Sequence, residues 1–387
     1  MSNAVSRGKF WRIYIGGFLL AGHYALVVYV NSSLLKQFVG DGGLGLLYAL
    51  GSIFSIIVLS LAPFITRRFG NKKTLALFVL LESFAVIAIG NTELALLIFG
   101  LFILHQAAES ILYLSLDLAL EQETVQETTT GSKRGVFFTI QNLAWVLSPL
   151  VVSLLTRESD FSNIYILSGL MLLPLLILSL FLFKNHHGES SRGSDIMLGI
   201  KNLMREKDVF RIFVVQFILN FFYAWMVVYL PLLLNLELGF SWEKIGLLFT
   251  IMLLPFLLFQ FPAGLLADKK WGEKELLIGG LLTMSLATIL IPFINTESFV
   301  LWAIILFATR IGASLVEISG ETYFFKHTKY TDSAVISLFR MTRPFSLLVA
   351  PLIAIPVLYF INYSYSFIFL SLVVALGLFF IPKVDTK

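Results

Sequence analysis

The chain has 387 residues, of which 58% are apolar and only 13% charged, and its mean hydropathy is +0.87. A soluble domain has no use for that much apolar surface, so lipid is part of the solvent. The absence of cysteine excludes a disulfide framework, thiolate chemistry and cysteine-based metal sites, and the net charge of +4 traces to the loops rather than to an anionic partner.

Apolar runs long enough to cross about 30 Å of hydrocarbon lie at 11–36, 45–66, 74–91, 94–121, 135–156, 163–183, 209–236, 243–267, 275–294, 298–325, 333–360 and 364–382, which predicts twelve spans. The first follows Arg7, Lys9 and Arg12, yet it is longer than a signal-peptide core and no small-residue cleavage pattern follows it, so it is expected to stay. The longest polar stretch, Lys184 to Asp208, divides the chain into a six-helix bundle at 1–183, a cytoplasmic linker at 184–208 and a second bundle at 209–387. Within the linker, Ile196 to Met204 has apolar residues at helical spacing beside Lys201 and Arg205, the pattern of a short helix on the inner leaflet. With a cytoplasmic N-terminus, 22 of the 28 lysines and arginines fall in inner segments and three (Lys36, Arg157, Lys244) in outer loops. That bias supports twelve spans in the cell membrane with both termini cytoplasmic.

The two halves repeat. Basic loops follow span two (Arg67, Arg68, Gly70, Lys72, Lys73) and span eight (Asp268, Lys269, Lys270, Gly272, Lys274). Tyr24-Ala25 and Tyr29 correspond to Tyr223-Ala224 and Tyr229, and Ala144, Ser148 and Pro149 correspond to Ser346, Ala350 and Pro351. The small residues of the latter sets suit close packing around a proline kink.

These motifs resemble the major facilitator superfamily over essentially the whole length. Gly264, Asp268 and the basic residues after it are similar to that family's loop signature, Gly-x-x-x-Asp-Arg-x-Gly-Arg-Lys. In the first copy Pro63 and Arg67 replace the glycine and the aspartate. Ala144, Ser148 and Pro149 are similar to the span-five motif of its proton-linked antiporters, with Val152 and Ser153 in place of the last two glycines. The resemblance implies an all-α fold of two pseudo-symmetric six-helix bundles, with spans one, four, seven and ten lining a central cavity. It also implies cytoplasmic gating contacts, Arg68 with Asp117 and Lys269 with Glu321, and Asp268 near the positive end of a helix.

A charged side chain in hydrocarbon costs on the order of 2.5–3.5 kcal/mol, so each one needs a reason. In span four His105, Glu109, Tyr113 and Asp117 form one stripe, and in span ten Arg310, Ser314, Glu317 and Glu321 form another. Gln216, Asn220 and Tyr223 share a face of span seven, and span one carries His23. At about 1.5 Å per residue, His23, His105, Asn220 and Arg310 lie near mid-bilayer. The expected substrate and proton site is therefore His23, His105, Glu109, Tyr113, Gln216, Asn220, Tyr223, Arg310 and Glu317, with Trp225 nearby. Glu109 would exchange a proton, His105 one turn away would share it, and Arg310 would bind an anion or neutralise Glu109 or Glu317. Arg340 and Arg343 are expected to pair with Glu321 and Glu317 as gating contacts. Glu82, midway along span three, falls on a span expected to be peripheral, where it reads as a buried protonated carboxyl.

The expected function is secondary active transport by alternating access, as proton-coupled antiport that exports a small amphipathic or hydrophobic compound. Uptake of an organic anion, lipid or lysolipid flipping and a non-transporting receptor or structural role remain alternatives. The chain has no H-E-x-x-H, no G-x-S-x-G and no G-x-x-x-x-G-K-[ST] loop, so neither an enzyme nor an ATP-driven pump is expected. No metal and no cofactor beyond a proton gradient is expected. The partners are a small molecule and the lipid bilayer, not nucleic acid, and the chain is expected to act as a monomer.

Overall fold

In the computed structural model, residues 2–124, 130–156, 160–181, 196–266, 272–294, 296–327 and 333–383 are described, and their regular elements are all helical. The order is α1 (Ser2–Val28), α2 (Asn31–Lys36), α3 (Asp41–Phe69), α4 (Asn71–Ile89), α5 (Ala95–Thr124), α6 (Thr130–Leu155) and α7 (Ser162–Phe181). Then come α8 (Ile196–Arg205), α9 (Lys207–Leu232), α10 (Trp242–Leu266), α11 (Gly272–Ile289), α12 (Phe299–His327), α13 (Ser333–Phe360) and α14 (Tyr363–Leu376). Among the described residues eleven helices are long and apolar enough to span a membrane. The twelfth predicted span is α4, whose 19 residues carry Lys72, Lys73 and Glu82.

The chain divides into two compact units, Met1–Gly40 with Leu50–Ser190, and Asp41–Ala49 with Ser191–Lys387. The first turns of α3 thus group with the second unit, whereas the sequence reading kept residues 1–183 together. The linker's first part lies outside the described residues, and its second part is α8, which packs on α9 and α13 and buries Leu203 while Met204 stays exposed.

Each unit repeats one packing scheme. In the first, α1 packs on α5, α6 and α7, and α4 packs on α5 and α7. In the second, α9 packs on α12, α13 and α14, and α11 packs on α12 and α14. Gly70 and Gly272, 202 residues apart, each start a helix at φ 81°, where a side chain is strained. A finer match follows: Ser83 Oγ donates to the Gly169 carbonyl at 2.9 Å and Ser285 Oγ to the Ser371 carbonyl at 3.1 Å, again 202 residues on. Replacing Gly70 by alanine places a Cβ at φ 81°, ψ 149°, a region essentially confined to glycine, and is expected to cost about 1–3 kcal/mol. Thermal unfolding in detergent checks it, with Gly40→Ala at φ −74° as the neutral control.

Leu20 on α1, Val79 on α4, Leu112 and Leu116 on α5, Phe137 on α6 and Leu172 on α7 form the core of the first unit. Large apolar side chains such as Phe84, Leu96, Leu154, Val300 and Phe379 are exposed instead, as a chain with hydrocarbon for solvent requires.

Candidate functional site

Small residues let the helices of the first unit approach closely enough for side chains to meet across them. A Cβ on Gly169 of α7 would lie 2.4 Å from Ile87 and 3.0 Å from the Ser83 carbonyl of α4, and one on Gly22 of α1 would lie 2.8 Å from Met171 of α7. Ser148 of α6 donates to the Gly22 carbonyl at 3.2 Å, and Ser346 of α13 does the same to Phe217 of α9 at 3.1 Å. The small residues of spans five and eleven therefore serve close packing in both units.

Glu82 of α4 sits at this crossing. Its Oε1 is 2.8 Å from His23 Nε2 and also contacts His105 Nδ1. His23 Nδ1 lies 2.7 Å from Ser168 Oγ and 3.2 Å from the Ser168 carbonyl oxygen. His105 Nε2 faces the Asn31 amide nitrogen at 3.5 Å, and the Tyr165 hydroxyl donates to Asn31 Oδ1 at 2.6 Å. His23 and Glu82 are 0% exposed and His105 1%, so this network is sealed from bulk water. Glu82 is buried, as expected, and α4 packs on α5 and α7, so that its carboxylate meets both His23 and His105. Glu109, predicted to be the partner of His105, is buried one turn along α5 and interacts with it electrostatically. Tyr24 stacks on His105 with ring centroids 6.1 Å apart and meets Tyr113 and Trp145 edge-on.

In the second unit Arg310 is 1% exposed, with its guanidinium 5.0 Å from the Phe222 ring and 5.6 Å from that of Tyr223. Such stacking suits the planar, weakly hydrated guanidinium. Asn220 donates to the Gln216 carbonyl at 2.9 Å and to the Thr342 hydroxyl at 3.1 Å, and Gln216 is buried. Glu317 accepts from Gln260 at 2.7 Å, while Arg340 forks onto Glu321 at 2.8 and 3.4 Å. Arg343, half-buried, interacts electrostatically with Glu317.

Trp225 departs from the expectation that it lies near substrate. It is fully buried against Phe221, Tyr229 and Phe369 and donates to Ser366, so it is a packing residue. Arg68 is exposed beside Phe69 and Asp117 is half-buried. Asp268 and Lys269 lie outside the described residues. The sequence reading missed a further pair, Lys326 with the buried Glu273 at 2.6 Å, for which the only signal was an acidic residue in the first turn of α11.

Two helical units with lipid-facing apolar surfaces and ionisable groups sealed inside them define a polytopic membrane protein. A family model described as Major Facilitator Superfamily matches residues 13–245 and 212–387, and the chain belongs to that superfamily of transporters. It is similar to two crystal structures of the nucleoside transporter NupG. One, a mutant, has TM-score 0.76 at 14% identity over 97% of this chain and 98% of the other. The second has TM-score 0.74 at 12% identity, over 96% and 97%. No curated protein matches the chain.

Proposed function

We propose that the protein is a secondary active transporter in the cell membrane that exports a small amphipathic or hydrophobic compound in exchange for protons, its two bundles alternating access to either side. The observation that carries this reading is the placement of ionisable side chains inside the helix packing, on spans where residue counting puts them near mid-bilayer. His105 with Glu109 and Glu82 lies in the first unit, and Arg310 with the Glu317 and Glu321 groups of the same helix lies in the second. Groups held at such cost mark ion or substrate pathways. The cargo reading follows from chemistry. Tyr24, Tyr113 and Trp145 offer aromatic surface near His105, whereas a sugar would want many amides.

Proteoliposomes under an imposed pH gradient test it. Gradient-driven movement of a lipophilic dye is expected, with collapse on adding a protonophore, and Glu109→Gln should reduce it to the level of empty liposomes. Dye movement that ignores the gradient would sink proton coupling. Because the structural neighbours are named for nucleosides, a labelled nucleoside belongs in the same assay, and its accumulation in place of the dye would overturn the cargo assignment.

A further inference from the structure

One arrangement of the hydrogen-bond donors and acceptors around His23, Glu82 and His105 leaves a seat for an extra proton. Where the Ser168 hydroxyl donates to the His23 carbonyl at 2.9 Å rather than to His23 Nδ1 at 2.7 Å, both Ser168 oxygens accept and His23 Nδ1 carries a proton. Asn31 gives its Oδ1 to the Tyr165 hydroxyl, which turns its amide nitrogen toward His105 Nε2. That ring nitrogen therefore accepts, and His105 Nδ1–H donates to Glu82. With these two protons placed, a neutral His23 would aim its Nε2 lone pair at Glu82 Oε1 across 2.8 Å. Two acceptors do not sit at that distance, so a third proton belongs on the line between them. The other carboxylate oxygen, Oε2, is buried with no hydrogen-bond partner among the described residues and offers the proton no better seat.

A metal ion held by the same three atoms would need more room. Bonds of about 2.0–2.1 Å in a tetrahedral site keep ligand atoms about 3.3 Å apart. The 2.8 Å contact is the size of a proton-mediated one.

The internal repeat supplies an independent comparison. In the frame set by Gly70 and Gly272 and by the two serine bridges, Glu82 corresponds to Met284, Ser168 to Leu370 and Tyr165 to Phe367. The Tyr24–Tyr223 correspondence pairs His23 with Phe222. All four counterparts are apolar and 0% exposed. The fold packs these four positions with apolar side chains in the second unit, where Arg310 stacks on the Phe222 ring at 5.0 Å, so architecture alone does not require ionisable groups at the positions of His23 and Glu82.

We propose that His23, Glu82 and His105 form a proton-binding element of this transporter beside Glu109, loading one exchangeable proton between His23 Nε2 and Glu82 Oε1; the assignment rests on the proton-coupled reading above. Loaded, the cluster holds an imidazolium, a carboxylate and a neutral imidazole and carries no net charge. On unloading, the His23 Nε2–H bond breaks, its electron pair stays on nitrogen, and the proton passes to water, leaving a net charge of −1. The polar groups facing the cluster are Tyr24 from α1, Asn31 from α2, Glu109 from α5, and Tyr165 and Ser168 from α7. Glu109 is the further charged group among them.

Solid-state NMR of protein carrying ¹⁵N-labelled histidine, in bilayers at neutral pH, reads the count. One buried ring protonated on both nitrogens is expected beside one neutral Nδ1–H ring, with the first signal absent in His23→Phe. Two neutral buried rings would overturn the proposal, as would stoichiometric Zn²⁺ binding that displaces both ring signals. Glu82→Gln is expected to remove one proton from the uptake titrated with a pH indicator and to reduce gradient-driven accumulation to the level of empty liposomes; unchanged proton uptake would overturn it. If Glu82→Gln does not fold, the double variant His23→Phe with Glu82→Met, which copies the second unit's apolar pair, takes its place in both assays. If the wild type accumulates nothing under a pH gradient, the proton-coupled reading falls, while the NMR count still decides whether the site exists.

Discussion

Gly312→Leu is expected to prevent recovery of folded protein, whereas Gly279→Ala is expected to leave it intact or slightly more stable. A Cβ on Gly312 of α12 would lie 2.5 Å from both the Gly280 carbonyl oxygen and the Met284 backbone nitrogen of α11. Those are backbone atoms of a neighbouring helix, so no side-chain rotation relieves the clash, and α11 and α12 must separate along their packed length. Overpacking typically costs about 1–3 kcal/mol, and four heavy atoms against backbone should exceed about 3 kcal/mol. Gly279, one residue before Gly280, has nothing within 4 Å of its added Cβ. Alanine there removes glycine's helix penalty of about 0.8–1.0 kcal/mol. Size-exclusion profiles and thermal unfolding in detergent distinguish the pair, and equal behaviour of the two variants would refute the close approach.

The second large effect is non-additivity at the buried network. His23→Phe alone deprives a fully buried carboxylate of one of its two histidine partners and is expected to cost about 3–5 kcal/mol. Glu82→Met alone strands buried ring nitrogens without a partner, at about 1–3 kcal/mol. Together the two changes install the apolar arrangement that Phe222 and Met284 already occupy in the second unit. The double variant is expected to fall short of the summed single costs by about 1.5 kcal/mol or more. Denaturant titration of the four proteins closes the cycle, and additivity within about 0.5 kcal/mol would show that the groups do not interact.

The sequence displays the architecture because bilayer thickness imposes a run length and loop charge imposes an orientation. The twelve runs become α1 to α14 with the short α2 and α8 added, and the basic loops flag the duplication that the φ of Gly70 and Gly272 repeats. The site is less legible. Helical spacing shows His105 and Glu109 one turn apart, which invites pairing along one helix. Spacing is blind to a carboxylate arriving from another helix, and Glu82 lies 23 and 59 residues away from its two histidines. A signal did exist: a lone acid midway along an apolar span must find a cation or a donor, and two histidines lay at matching depth. Its weight was lost to the expectation that span three sits at the periphery. The contribution of α7 through Ser168 and Tyr165 left no trace, because hydroxyls in an apolar run are unremarkable.

The sealing of Glu82 has a kinetic consequence. With no atom of Glu82 open to solvent, hydronium cannot reach it by diffusion through a static protein, and the surrounding helices must first part or admit a transient water file. Loading would then follow the tempo of breathing in the helix packing, rising with temperature and membrane fluidity and levelling off as buffer is made more acidic. Stopped-flow pH jumps should therefore reveal a ceiling to the rate, set by the protein rather than by the acid supplied.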